Sequence, residues 1–441
     1  MMAYTKPEIF EEDRPGVATP ANGTANPNGI VEKDHALDDS SHLENGLIGG
    51  LTAEHRDYLI SRHGTADLNP LPTMDPADPL NWPAWKALAF FISPAIAISS
   101  AVVTETFFAR ERGQKMGIWT LMVTLGPPSG PFIMGFVAYH TNGYKWIYWT
   151  LAITNGIQFI LYFFLSPETL YARNRPAPTT AATTSTSLFK RQYLNFGRLG
   201  PHPLSLTDFW TPIKMFAYPN VLLPTIAYSV IFNFTSVLLT VEIPQLFTPK
   251  YHFNAQQIGL QFIGMIVGSV LGEQLGGRGS DLWMRHSKTP SRSSSGANPE
   301  HRIWVAYPGF ITVIIGIVVF CIQVENLKHY NVTPIVGIAI SAFGNQIITT
   351  VLVTYAVDCH HEHAASIGVF INLVRSTWGF IGPFWFPDMF SSLGLSGSAG
   401  LMVGIIIVFS VLPTIFIQWK GRQIKERRSE NELDQVRTIT R

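Results

Sequence analysis

The sequence predicts an all-α polytopic membrane protein with about nine crossings. Three observations carry that prediction. The chain is poor in charge, with 14% Asp, Glu, Lys and Arg against 46% apolar residues, where a soluble domain carries about 25% charge. Its apolar residues fall in serial runs of about 20, the length of helix that crosses a hydrocarbon core of about 30 Å at 1.5 Å per residue. The Lys and Arg residues gather in alternate connections between those runs, as basic loops retained on the cytoplasmic side do.

Residues 1–85 form an acidic tail rich in Asn, Pro and Gly that is expected to be mostly disordered, apart from an amphipathic patch at 53–61. No basic segment, short apolar core and small-residue cleavage site stand near Met1, so no secretory signal is expected. The runs 88–108, 116–139 and 146–165 come next, making a first transmembrane group over 86–170. A polar linker, 171–220, holds the Thr/Ser-rich stretch 179–187 and the pair Lys190 and Arg191. Six further runs, 221–240, 256–275, 303–323, 334–357, 366–390 and 399–419, make a second group over 221–419, and a basic tail occupies 420–441.

Four basic connections lie on one side if every run crosses. These are Arg110, Arg112 and Lys115; the linker; the loop 276–302; and the tail with Lys420, Arg422, Lys425, Arg427 and Arg428. The C-terminus is then cytoplasmic and the acidic N-terminus outside, because an odd number of crossings separates the two ends. The sequon at Asn331, Asn331-Val332-Thr333, falls in an external loop and is a glycosylation candidate.

Polar residues inside apolar runs face a cavity or the bundle interior, because exposing them to lipid is costly. The candidates for a solute or proton pathway are Asn155 and Gln158, Tyr228 and Asn233, Asn345 and Gln346, and Asn372 with Arg375 one turn later. Among the carboxylates, Glu242 is the first candidate for cation or proton binding and Glu105 the second, whereas Glu273 reads as a hydrated residue at the membrane boundary. Gly264, Gly268 and Gly272 stack at four-residue spacing and read as a helix-packing face. The run Gly126-Pro127-Pro128-Ser129-Gly130-Pro131 combines small residues four apart with prolines that free backbone carbonyls; a packing hinge and a cavity wall are both open readings. Cys359, His360, His361 and His363 crowd one short connector, where adjacent ligands cannot easily meet one ion, so no metal and no cofactor are expected. No basic face suggests nucleic acid, and no hydrolase or phosphate-binding motif suggests an enzyme.

Several longer segments resemble fungal major facilitator superfamily transporters of the drug:proton antiporter and polyamine type. Residues 70–83, Pro-Leu-Pro-Thr-Met-Asp-Pro-Ala-Asp-Pro-Leu-Asn-Trp-Pro, are similar to that family's N-terminal signature. Residues 107–117, Phe-Phe-Ala-Arg-Glu-Arg-Gly-Gln-Lys-Met-Gly, resemble the loop before the family's fifth helix, and Leu125 to Pro131 resemble its antiporter motif, which assigns Gly126, Pro127, Gly130 and Pro131 to it. Trp146-Ile147-Tyr148-Trp149 and Pro167-Glu168-Thr169 fit the two ends of the sixth helix. Asp358-Cys359 and the stretch from Ala364 to Pro387 resemble the tenth-to-eleventh helix region.

The resemblance implies the major facilitator architecture, with an incomplete N-terminal bundle and a complete six-helix C-terminal bundle. Residues 85–94, Trp-Lys-Ala-Leu-Ala-Phe-Phe-Ile-Ser-Pro, resemble the start of the first helix joined to the middle of the fourth, so helices one to three are missing from the pattern. The charged loop between the second and third helices is missing with them, while its second-half counterpart remains at Gly276-Gly277-Arg278-Gly279-Ser280-Asp281. The implied function is proton-coupled secondary transport of a small cationic or amphipathic solute across a multi-pass position in the plasma membrane. The alternative is a transport-silent membrane protein that associates with a full-length relative. The implied partners are the lipid bilayer, the solute and protons.

Overall fold

The computed structural model describes residues 47–48, most of 51–81, 103, 106–108, 112–141, 143–165, 206–286, 299–360, 363–421 and 423–424. The first expected span, 88–108, lies almost wholly outside the described residues, and so does Glu105. The chain divides into two units, Met1–Ser61 and Arg62–Arg441. In the first, β1 (Leu47–Ile48) and β2 (Leu51–Thr52) pair antiparallel, with Leu47 opposite Thr52, and α1 (Ala53–His63) comes after them.

In the second unit the proline-rich signature is tied by its own side chains. The Asp78 carboxylate accepts from the Thr73 N–H at 2.8 Å and the Leu80 N–H at 3.1 Å. The Asn81 amide donates to the carbonyls of Thr73 and Asp75 at 2.6 and 2.9 Å, and Arg62 donates to the Asn81 carbonyl at 2.8 Å. Asp and Asn side chains that bond nearby backbone make such turns without regular structure.

The principal helices are α2 (Arg112–Thr141), α3 (Lys145–Leu165), α5 (Pro219–Phe232), α6 (Leu238–Tyr251), α7 (Ala255–Gln261), α8 (Ile263–Glu273), α10 (Ala306–Asn326), α11 (Thr333–Cys359) and α12 (Ala364–Ile406). Two short helices, α4 (Leu206–Lys214) and α9 (Ser280–His286), lie in the expected linker and loop. Six continuous helical segments among the described residues are long and apolar enough to cross a membrane: Gln114–Thr141, Pro219–Tyr251, Ala255–Met284, Pro299–Asn326, Thr333–Cys359 and Ala364–Gly421. The last, 58 residues, is too long for one crossing. It turns back at Gly394, whose φ of +70° only glycine adopts without strain. The Ser396 N–H after the turn donates to the Glu325 carboxylate at 2.8 Å, which satisfies one of the first free N–H groups of the returning leg.

Among the described residues three segments wind as π-helix: Asn233–Val237 joins α5 to α6, Gln274–Gly279 joins α8 to α9, and Ile407–Val411 continues α12. The α8–α9 junction extends helix into the basic loop expected to begin at Gly276, so the crossing is longer than its apolar run.

The glycine face on α8 is a packing surface, as its spacing predicts. A Cβ at Gly264 would stand 2.8 Å from the Ile335 carbonyl, at Gly268 2.1 Å from that of Ala339, and at Gly272 2.3 Å from that of Phe343. The partners advance four residues at a time along α11, so the two backbones run in contact. On its other side α11 meets α10 with the same closeness, a Cβ at Gly316 falling 2.4 Å from the Ser341 nitrogen. Held between α8 and α10, α11 buries even its polar Ser341, Asn345, Gln346, Thr349, Thr350 and Thr354. Helix α2 packs on α7, α8 and α11, and carries α3, which leaves Trp146, Tyr148, Trp149, Ile153, Ile157 and Phe159 exposed.

Candidate functional site

A cleft of about 480 Å³ opens where α2, the α5–α6 junction and α12 meet. Val123, Gly126 and Pro127 line it from α2, Phe232 and Val237 from the junction, and Arg375, Ser376, Gly379 and Phe380 from α12. Pro127, Pro128 and Pro131 lie inside α2 and cannot donate to the carbonyls four residues back, so the cleft wall carries backbone acceptors that a regular helix would occupy. Beyond α2's own backbone nothing stands within 4 Å of a Cβ built on Gly126 or Gly130, and a close backbone approach on α2 is made by Gly135, whose Cβ would lie 2.6 Å from the Ala255 carbonyl. Of the two readings of this run, the cavity wall fits Gly126 and Pro127.

Arg375 is the charged residue among the lining side chains. Its guanidinium carbon sits 4.7 Å from the centre of the Phe232 ring, and the same head group faces the Tyr228 hydroxyl. A guanidinium over an aromatic face keeps its charge partly compensated while its N–H groups stay available. Asn233 opens the π-helical segment one residue beyond Phe232. It is buried, neither its amide oxygen nor its nitrogen has a hydrogen-bond partner, and its oxygen faces Gly382, where a Cβ would lie 2.8 Å away. Ser236 Oγ in the same π-helical segment and Trp378 Nε1 on α12 are also buried and unpartnered. Single π turns of this kind re-aim side chains and recur at functional sites.

A second polar cluster lies where α2 crosses α8 and α11. Glu273 is 5% exposed. Its Oε2 accepts from Gln346 Nε2 at 2.8 Å and from Thr350 Oγ1 at 2.9 Å, and the Thr120 hydroxyl of α2 stands 2.9 Å from that of Thr350. The other oxygen, Oε1, rests on α2, only 1.7 Å from where a Cβ on Gly117 would be. Just beyond, Asp281 accepts from the Gln114 N–H in the first turn of α2 at 2.8 Å and pairs with Arg302 at 3.0 Å, and Arg302 Nε lies 3.6 Å from Asp358. The carboxylate thus meets the positive end of α2.

The structure places Arg375, Gly126 and Pro127 in the cleft lining, sets the buried Tyr228 against Arg375 and the buried Asn233 against Gly382, and places Gln346 in the second cluster. Glu242 is buried on α6 with Oε1 unpartnered, and Asn345 is buried on α11 with Oδ1 unpartnered. Asn155 is exposed and its amide donates to the Leu151 carbonyl of its own helix at 2.7 Å; Gln158 is half-buried, and Asn372 is exposed. Gly130 and Pro131 are half-buried on α2. Asn331 is exposed between α10 and α11. At the Cys/His connector, Cys359 is buried and the His360 ring stands edge-on to Tyr218 at 4.9 Å.

Sequence reasoning read Glu273 as a hydrated boundary residue and assigned no site role to Thr120, Thr350, Asp281 or Arg302. One signal was present: Glu273 comes directly after the last glycine of the packed face, and a residue beside such a face is held within the bundle.

Serial apolar helices in close glycine packing, with a cleft between them, define a multi-pass membrane protein. The profile of the Major Facilitator Superfamily matches residues 84–383, and the chain belongs to that family. It is 26% identical over 334 residues to an uncharacterized transporter of Schizosaccharomyces pombe, covering 75% of this chain and 67% of the relative. It is 29% identical over 329 residues to the MFS-type transporter penM of Penicillium rubens, covering 73% and 62%. YHK8 of Saccharomyces cerevisiae, named a probable drug/proton antiporter, is 26% identical over 353 residues, covering 76% and 64%. The chain therefore spans about two-thirds or less of the length of these relatives.

Proposed function

We propose that the chain is a proton-coupled secondary transporter of a small amphipathic solute, working in the plasma membrane and binding that solute in the cleft between α2, the α5–α6 junction and α12. The observation that carries this reading is the lining itself: apolar Val123, Phe232, Val237 and Phe380 around one guanidinium, Arg375. Apolar walls with a few placed polar groups are the ordinary make-up of a small-molecule site. Of the cationic and amphipathic solutes expected, the lining favours the second, because a cation would meet Arg375 without a lining carboxylate to offset it. The transporters among the relatives, one of them named a probable drug/proton antiporter, support the same class of activity. Glu242, buried with an unpartnered oxygen, is the candidate for the coupled proton.

The test is flux in liposomes holding the purified full chain, with a panel of anionic, neutral and cationic amphiphiles and an imposed pH gradient. Arg375→Ala is expected to lower the uptake of an anionic amphiphile by about 10- to 100-fold, the loss of one charged hydrogen-bonding partner. Equal uptake by the wild-type chain and the variant would refute the site.

One observation favours a second reading, association with a full-length relative. Helix α3 packs on α2 and otherwise exposes Trp146, Tyr148, Trp149, Ile153 and Phe159, a helix with its outer faces open. Co-purification with a twelve-span relative, without flux from the chain alone, would support this reading over the first.

A further inference from the structure

The Glu273 cluster has the construction of a site that holds a proton in one state and accepts hydrogen bonds in the other. As a carboxylate, Glu273 is served by two donors, Gln346 Nε2 at 2.8 Å and Thr350 Oγ1 at 2.9 Å. The Gln346 amide also reaches the Thr120 and Thr350 hydroxyls at 3.3 Å, and Thr120 Oγ1 donates to the Gly117 carbonyl at 2.9 Å. Each hydroxyl and amide proton thus has an acceptor when Glu273 is ionised.

A protonated Glu273 needs an acceptor in turn, and one is beside it. Gln346 is fully buried and its Oε1 has no hydrogen-bond partner. A buried amide oxygen left unpaired is costly. Turning the Gln346 amide by half a turn presents that oxygen to the carboxylic acid, and the two faces of a primary amide exchange donor for acceptor in such a turn.

The charges facing Glu273 leave the proton as its natural counter-ion. Asp281 on α9 is the charged group whose field reaches it, and it is of the same sign. Lys115 on α2 lies over the Phe107 ring at 5.0 Å, and Arg278 on the π-helical segment is exposed. On α11 the charged residue is Asp358, which faces Arg302. Among the described residues no Lys, Arg or His forms an ion pair with Glu273.

We infer that Glu273 is a reversible proton-binding site, with Gln346 as donor to its carboxylate and acceptor from its acid form, set against Gly117 so that its state is felt by α2. The step is a protonation alone: a proton from water adds to one carboxylate oxygen, and no other bond is made or broken. The inference rests on the transport reading above only for the use made of the proton.

The experiment is an infrared difference spectrum of the full chain in lipid nanodiscs between about pH 8 and about pH 5, bracketing the range in which a buried carboxyl titrates. A protonated-carboxyl C=O band is expected on the acid side, and the Glu273→Gln spectrum lacks the component due to Glu273 while any contribution from Glu242 stays. In Gln346→Leu, which keeps Glu273, the band persists and moves to higher wavenumber, because the carbonyl of a carboxylic acid stiffens as its hydrogen bonds are lost. An unchanged band in Glu273→Gln, or an unmoved one in Gln346→Leu, overturns the inference. If Glu273→Gln fails to fold, the Gln346→Leu spectrum decides alone. Flux from the same preparation separates the two claims: a band without flux upholds the proton site and counts against transport, while flux without a band overturns the proton site.

Discussion

Substituting Gly268 by Ala puts one methyl group where α8 and α11 touch, and the distances at that contact set its cost. The new Cβ would stand 2.1 Å from the Ala339 carbonyl oxygen, 2.9 Å from its carbon and 3.1 Å from its Cα. A comfortable contact between such atoms is about 3.5 Å, so the two backbones must part by roughly 1.4 Å at this level. Backbone cannot rotate away as a side-chain tip can. A gap of about 1 Å forfeits up to about half of the dispersion energy of the atoms it separates, and overpacking of this kind costs about 1–3 kcal/mol. Alanine returns up to about 1 kcal/mol through its better helix propensity, leaving a net loss of up to about 2 kcal/mol when that full gain is realised. Gly400 is the matched control: it lies in α12 with nothing within 4 Å of its Cβ position, so Gly400→Ala keeps the propensity gain without the clash. The assay is thermal unfolding in detergent monitored with a thiol-reactive dye, because Cys321 and Cys359 are both buried and react only on unfolding. Gly268→Ala should unfold first, the wild-type chain next and Gly400→Ala last. A Gly268→Ala protein as stable as Gly400→Ala would refute the packing argument.

The same assay applies to the ion-pair cluster: Arg302→Met strands Asp281 and Asp358 without their cation and is expected to destabilise by about 3–5 kcal/mol, and a loss below about 1 kcal/mol would show the cluster to be solvated. Asn331→Gln tests the side of the α10–α11 connection, since loss of a glycan is expected to raise gel mobility in protein made in a eukaryotic host; an unchanged mobility would leave that loop without a glycan.

Much of the architecture was legible in the chain. The runs 116–139 and 334–357 announce α2 and α11 because about 20 apolar residues in series have no other stable place than a bilayer or a core. Gly264, Gly268 and Gly272 announced a packed face, since four residues bring a helix nearly full circle. The polar candidates were less legible. Asn155 and Asn372 have the same chemistry as Asn233, yet they are exposed and Asn233 is buried. Glu273 looked like a residue of the membrane boundary because basic and polar residues come after it, but the helix continues past it as Gln274–Gly279 and α9, which carries it inside.

By itself the sequence determined that the chain is helical, that it crosses membranes and which family's pattern it carries, because those depend on sums over a run and on short motifs. Only the tertiary structure decided which polar groups meet. That depends on how each helix is rotated against its neighbours, and one extra residue in a π turn such as Asn233–Val237 rotates everything after it by about 100°, a shift that no count of residues along a regular helix contains.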